Sequence, residues 1–218
     1  MTEQEEISHK IEVCFHLQIE FLKTTAQALG LRNGYHYPEQ LGVDRWVAMI
    51  GARTVDLAYR GPLCIVGCGT VMTVDVVDQG DHAAHHWGGL IVPGLSTLHD
   101  VLLEVAPQIQ AAVLRYPLGA KRTPASGSAR KCFLGTCTQD AISSGIDRMA
   151  VAYLDRVMHD LECDLGAPVR VYLTGGNAAR LRPLLFYPGI EIEPYLVFRG
   201  MQALLGDDTA FIDGSRLQ

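Results

Sequence analysis

An acid and a base stand side by side at Asp44-Arg45, directly after the proline-led segment Tyr35-His-Tyr-Pro-Glu-Gln-Leu-Gly42. A carboxylate there could take a proton from an acceptor hydroxyl while the guanidinium holds an anionic oxygen. A capped surface helix with a salt bridge would satisfy the same residues. Further along, Gly67-Cys-Gly-Thr70 can present successive N–H groups to phosphate oxygens, with Thr70 and Thr73 adding hydroxyls. By itself such a turn is also an ordinary hairpin. Thr174-Gly-Gly-Asn177 follows an apolar run and opens a helical one, and Gly175 and Gly176 would let a flat or anionic group come close. A plain strand-to-helix turn has the same appearance. No Gly-x-x-x-x-Gly-Lys-Ser/Thr occurs, which excludes a Walker-type phosphate loop. His82, His85 and His86 crowd one turn, but a metal would want a fourth ligand, so an exposed hairpin tip is the better reading. The six cysteines lack any Cys-x-x-Cys spacing and read as free, mostly buried thiols. The basic pairs Lys121-Arg122 and Arg130-Lys131 sit in a Gly/Ser-rich loop and read as solvated.

These groups need elements to hold them. Pro38 suits a first helical turn, and Leu41, Trp46, Val47 and Ile50 recur at helical spacing as a buried stripe. Before it, the alternation of Val13, Phe15, Leu17, Ile19 and Phe21 suits a strand, and Gly30 ends a turn built on residues 26–29. Arg60-Gly61-Pro62 is a plausible hinge. Three short strands follow at Leu63–Val66, Met72–Val77 and Gly89–Val92, then a helix from Leu95 to Val105 and a loop from Pro117 to Lys131. A long amphipathic helix runs from Thr138 to Leu161. A strand at Val169–Leu173, a helix at Asn177–Leu185, a strand at Ile190–Ile192 and a closing helix at Val197–Leu205 complete the pattern.

The 218 residues allow one sizeable core or two small lobes, and 48% hydrophobic residues with 22 glycines indicate a folded globular chain. A net charge of −6 gives no electrostatic case for nucleic acid. No apolar run approaches the ~20 residues a membrane helix needs. The opening Thr-Glu-Gln-Glu-Glu is unlike a signal or transit peptide, so a cytoplasmic location is expected.

Four segments in register resemble the type III pantothenate kinases, a family that includes the Bvg accessory factors. Pro38-Glu-x-Leu-Gly-x-Asp-Arg45, preceded by Gly30-Leu-Arg-Asn-Gly-Tyr35, is similar to the family's acceptor motif. Gly67-Cys-Gly-Thr-Val-Met-Thr-Val-Asp75 resembles its second phosphate motif, Gly88-Gly-Leu-Ile-Val-Pro-Gly94 its Gly-Gly-x-Ile-x-Pro-Gly turn, and Thr174-Gly-Gly176 its adenosine motif. The resemblance implies an α/β, actin-like (ribonuclease H-like) nucleotide-binding fold. Residues 1–60 would be an incomplete first lobe carrying the acceptor motif, and residues 61–218 a complete second lobe. It also implies ATP-dependent phosphorylation of pantothenate in coenzyme A biosynthesis, with Mg²⁺ and a monovalent cation, K⁺ or NH4⁺. Asp44 would be the general base. Tyr35, Gly42 and Arg45 would bind pantothenate, joined by Thr138 reaching across a dimer interface. Gly69, Thr70, Thr73, Gly175 and Gly176 would bind ATP.

The chain departs from the family pattern twice. No Asp-x-Gly precedes Phe21, where the first phosphate motif is expected, and Gly67 stands where the second phosphate motif has aspartate. Cations require carboxylate oxygens to replace their hydration. The expectation is therefore a weak or inactive isolated chain, either a homodimer or one partner of a heteromer whose other chain supplies the missing acids. A chain truncated at its N-terminus, or a degraded reading frame, would account for the same departures, and the alternative function is that of a non-catalytic pseudokinase or regulatory, accessory-factor-type interaction protein.

Overall fold

The computed structural model describes residues 3–16, 19, 21–80, 83–115 and 133–206. Helix α1 (Glu3–Phe15) is followed by the two short strands β1 (Gln27–Ala28) and β2 (Leu31–Arg32), a 3₁₀ turn at Pro38–Gln40, and helix α2 (Val43–Val55). Strands β3 (Leu63–Cys68), β4 (Val71–Asp78) and β5 (Ala84–Pro93) come next, then helices α3 (Leu95–Val105), α4 (Pro107–Arg115) and α5 (Thr138–Leu165). Strand β6 (Arg170–Thr174), the short helix α6 (Ala178–Leu181), strand β7 (Ile190–Ile192) and helix α7 (Leu196–Leu205) finish the described chain.

One seven-stranded sheet organises these elements, in the order β1-β2-β5-β4-β3-β6-β7. Strands β3, β4 and β5 form an antiparallel meander, and β6 and β7 continue parallel to β3. This β5-β4-β3-β6-β7 order is that of the actin-like lobe expected from the sequence. The period-2 alternation of strands then sorts two cores. Cys64, Val66, Cys68, Met72, Val74, Val171 and Leu173 pack on one face against α3 and α5. Leu63, Ile65, Val77 and Tyr172 pack on the other against α2 and α7. Strand β3 is buried on both faces, which is why it reads as a continuous apolar run.

Helices α2 and α7 cross at bare backbone. A Cβ on Gly51 would run into the Leu196 carbonyl, and one on Gly200 into the Val47 carbonyl. Trp46, Met49 and Ile50 fill the space around that crossing and are nearly inaccessible.

Four local expectations change. Val13 and Phe15 lie in a helix, not a strand, and both side chains are exposed. Good helix formers and the Lys10–Glu6 pair at i,i+4 outweigh a short alternation. Leu17 lies outside the described residues, and Phe21 has no regular structure. Residues 26–29 belong to a hairpin, turned by Leu29 and Gly30 at φ 46° and 73°, as a two-residue primed turn requires. The helix expected over 177–185 stops at Leu181 and passes into a 3₁₀ turn at Arg182–Leu184, because Pro183 cannot donate to the helical ladder. Helix α4 was not anticipated, and the loop at 117–131 lies outside the described residues.

Candidate active site

The turn at Gly69-Thr70 joins β3 to β4 and is exposed. Its Thr70 carbonyl accepts hydrogen bonds from Gly94 N (2.9 Å) and Thr97 Oγ1 (2.6 Å), which fasten it to the start of α3. Gly94 is needed for this approach, since a Cβ there would collide with the Gly69 and Thr70 carbonyls. On the other side, Asn177 N donates to the Cys68 carbonyl at 3.0 Å. Gly175, at φ +90°, lies so close that a Cβ would stand 3.0 Å from the Cys68 backbone. The two glycine turns singled out for nucleotide binding are thus bound to each other through backbone. Gly176 faces open space. Helix α6 beyond it has only four residues.

Register places Thr73 and Thr174 on either side of Gly67 across β4-β3-β6. Thr73 Oγ1 would lie 2.7 Å from a Cβ at Gly67, so its hydroxyl borders the space that an aspartate would enter. Thr174 Oγ1 reaches the Pro194 carbonyl at 3.5 Å.

On the acceptor side, Asn33 is a residue the sequence reading passed over. Its Oδ1 accepts from Tyr35 N at 2.9 Å, and its Nδ2 donates to the Thr25 carbonyl at 3.2 Å, which sets the bend that carries Tyr35. The Asn33-Gly34 pair was the available signal. Helix α2 starts at Gly42, and Asp44 lies exposed in its first turn, with Oδ1 only 2.8 Å from where a Gly42 Cβ would stand. Arg45 turns the other way. It is 7% exposed and pairs not with Asp44 but with Asp75 of β4, through Nε at 2.9 Å and Nη2 at 2.6 Å. Its Nη1 donates to the Tyr35 hydroxyl at 3.0 Å. Burial alone would depress the Arg45 guanidinium, but the hydrogen bonds and charge of Asp75, helped by Tyr35, raise it above the usual arginine value.

His86 joins the same cluster. The expected exposed tip is instead strand β5, and His86 is fully buried with Nε2 3.1 Å from Asp75 Oδ1. Its ring stacks on Tyr35 with centroids 5.7 Å apart. His85 next to it is exposed, and His82 lies outside the described residues. Gly88-Gly89 makes room for the cluster: a Cβ on Gly89 would lie 2.5 Å from both Arg45 Nη2 and Asp75 Oδ1.

Other candidates stand apart from these two clusters. Thr138 is the first residue of α5, is exposed, and does not cap the helix; that position belongs to Cys137. Among the described cysteines, Cys64 and Cys68 are buried while Cys14, Cys137 and Cys163 are exposed, so fewer thiols are buried than expected. Burial pushes the Cys68 thiol up to about 12. Cys132 and the basic pairs of residues 121–131 lie outside the described residues.

The phosphate turn does not fit a cation held by protein carboxylates. Gly67 offers none, Asp75 is engaged by Arg45 and His86, and Asp78 Oδ1 accepts from Gly80 N at 3.3 Å. Among the described residues no group of three His, Cys, Asp or Glu gathers to bind a metal, and no helix is long and apolar enough to cross a membrane.

The model of the type III pantothenate kinase family matches residues 1–160. A type III pantothenate kinase of Nitrosococcus oceani is 32% identical over 208 residues, covering 93% of this chain and 71% of its own length. That of Xanthomonas oryzae pv. oryzae is 35% identical over 184 residues, covering 84% and 66%. That of Dichelobacter nodosus is 36% identical over 173 residues, covering 78% and 60%. This chain therefore spans between 60% and 71% of these relatives' lengths. A solved Baf family structure from Campylobacter jejuni overlaps 76% of this chain and 64% of its own at 24% identity and a TM-score of 0.45. The family model spans residues 1–160 and the relatives match most of the chain at 32–36% identity, and the chain belongs to the type III pantothenate kinase family.

Proposed function

We propose that the chain binds pantothenate at the Tyr35–Arg45 cluster and Mg-ATP at the Gly69-Thr70 and Gly175-Gly176 turns, and moves the γ-phosphoryl group to the primary hydroxyl of pantothenate. The observation that carries this reading is strand β4. Thr73, beside the phosphate turn, and Asp75, the partner of Arg45, alternate onto one face of it. Two residues of extended strand separate them by roughly 7 Å, so the acceptor and donor halves share a rigid support.

In the reaction, the pantothenate hydroxyl oxygen attacks the γ-phosphorus, the bond to the β-γ bridging oxygen breaks, and ADP leaves. Asp44, exposed at the start of α2, takes the hydroxyl proton as the new bond forms. Backbone N–H groups of the Gly69-Thr70 turn and the Thr70 and Thr73 hydroxyls hold phosphate oxygens, while Gly175 and Gly176 accept the adenosine end. Gly42 keeps the approach to Asp44 clear. Residues 1–60 act as the acceptor part of a first lobe and residues 61–218 as the nucleotide lobe, working in the cytoplasm as a homodimer in which Thr138 meets the neighbouring site, or with a companion chain.

The isolated chain turns over slowly on this reading, because its phosphate turn presents no free carboxylate to a cation; a companion chain would supply one. The same observation favours a second reading, a non-catalytic accessory-factor-type protein that keeps the ligand but not the chemistry. The test is formation of phosphopantothenate by the purified chain with Mg-ATP. Slow turnover that falls about 100-fold or more in Asp44→Ala is expected. An Asp44→Ala variant as fast as its parent would remove Asp44 from the mechanism, and a folded parent that binds pantothenate without any turnover would favour the second reading.

A further inference from the structure

The pairing of Arg45 with Asp75 divides the acceptor cluster into an accessible end and a closed one. Tyr35 is half-buried and is the member a ligand can reach. Behind it, Asp75 is 1% exposed and His86 is fully buried. Each end comes from a different element: Tyr35 from the loop after β2, Arg45 from α2, Asp75 from β4 and His86 from β5. Asp75 joins the two groups behind Tyr35, touching Arg45 twice and His86 once. Because a carboxylate accepts and does not donate, His86 must present its proton on Nε2. The other ring nitrogen, Nδ1, is buried and without a hydrogen-bond partner among the described residues. The Asp75 carboxylate therefore sets the direction of the guanidinium and the tautomer of the imidazole. Those two in turn hold Tyr35, one through its hydroxyl at 3.0 Å and the other through the stack at an interplanar angle of 18°.

We infer that Asp75 is a positioning residue for acceptor recognition: it acts through Arg45 and His86 to fix Tyr35, and it does not hold a cation or phosphate. The inference rests on the proposed pantothenate site. Glycine use supports it, since a side chain at Gly89 would enter the Arg45–Asp75 contact and one at Gly34 would enter the His86 backbone. Both positions are free of side chains where the cluster has to close.

The test is calorimetric titration of the purified chain with pantothenate and, separately, with Mg-ATP, for the parent, Asp75→Asn, Tyr35→Phe and the two combined. Asn keeps the shape but turns an N–H group toward the Arg45 or His86 donors. Pantothenate affinity is expected to fall roughly tenfold to a hundredfold in Asp75→Asn, with Mg-ATP affinity unchanged. In the Tyr35→Phe background, the further loss caused by Asp75→Asn should shrink, because the two act on one chain of contacts. Additive losses, or equal losses for both ligands, would show only a structural role and overturn the inference. Should Asp75→Asn alone fail to fold, the pair Asp75→Asn/Arg45→Gln removes both buried charges together, a change that proteins tolerate better than removal of one. A folded pair variant with parental pantothenate affinity would likewise overturn it. A folded parent that binds no pantothenate overturns the proposed site and this inference with it; a parent that binds while a folded Asp75→Asn binds equally well overturns this inference alone.

Discussion

At Gly67 one missing side chain separates this chain from the pattern of its second phosphate motif. Replacing it by aspartate would return a carboxylate but not an open site: its Cβ would stand 2.7 Å from Thr73 Oγ1. The hydroxyl can swing aside, yet it is itself a candidate phosphate ligand. Gly67→Asp is therefore expected to leave phosphopantothenate formation within about threefold of the parent, since a lone acid beside a displaced threonine does not make a cation site. A clear ATP-dependent gain in turnover by that single variant would contradict this. The residue scale also shows where sequence reading stops. Asp44, Arg45 and Tyr35 announced themselves by motif, but Asp75 and His86 did not announce their burial. Strand alternation gives the face on which Asp75 lies; it says nothing of whether a partner waits there. That partner, Arg45, comes from 30 residues earlier, and only the packing of α2 on the sheet brings the two together.

Among the elements, α2 carries the acceptor motif, so its seat on the molecule decides where Asp44 points. That seat is the crossing with α7, where Gly51 and Gly200 bring the two backbones together. Adding a methyl group at such a contact forces the helices apart or strains them, at a cost of about 1–3 kcal/mol. Gly200→Ala should accordingly lower the denaturant midpoint by a corresponding amount without touching any candidate ligand residue. A midpoint equal to the parent's would mean that the crossing is looser than described. The strands β3, β4 and β5 and the helices α3, α5 and α7 were legible because each carries its own period over a full element. The short pieces were not. The β1-β2 hairpin turns on Leu29 at positive φ, a conformation that leucine composition does not suggest, and α1 was obscured by five alternating apolar residues. Helix α6 is shorter than the apolar spacing over 177–185 suggests because Pro183 breaks it.

For the molecule as a whole, the chain order of three strands, a helix and a strand-helix-strand-helix tail was legible in the sequence, while the sheet order β5-β4-β3-β6-β7 is seen only in the fold. The joining of β2 to β5 was not legible either, since a two-residue parallel pairing between distant parts of the chain leaves almost no local trace. The sheet gathers the two glycine turns at one end and the Tyr35–Arg45–Asp75–His86 cluster beside them through β4. The central claim is that this arrangement retains a pantothenate site whose base is Asp44. Calorimetric titration of the purified, folded chain with pantothenate, beside its Asp44→Ala variant, tests this most directly. The account predicts saturable binding by the parent that is weakened roughly tenfold or more in the variant, which loses the hydrogen bond that the Asp44 carboxylate accepts from the pantothenate hydroxyl. The absence of any binding by the folded parent, or identical binding by the two, would contradict it.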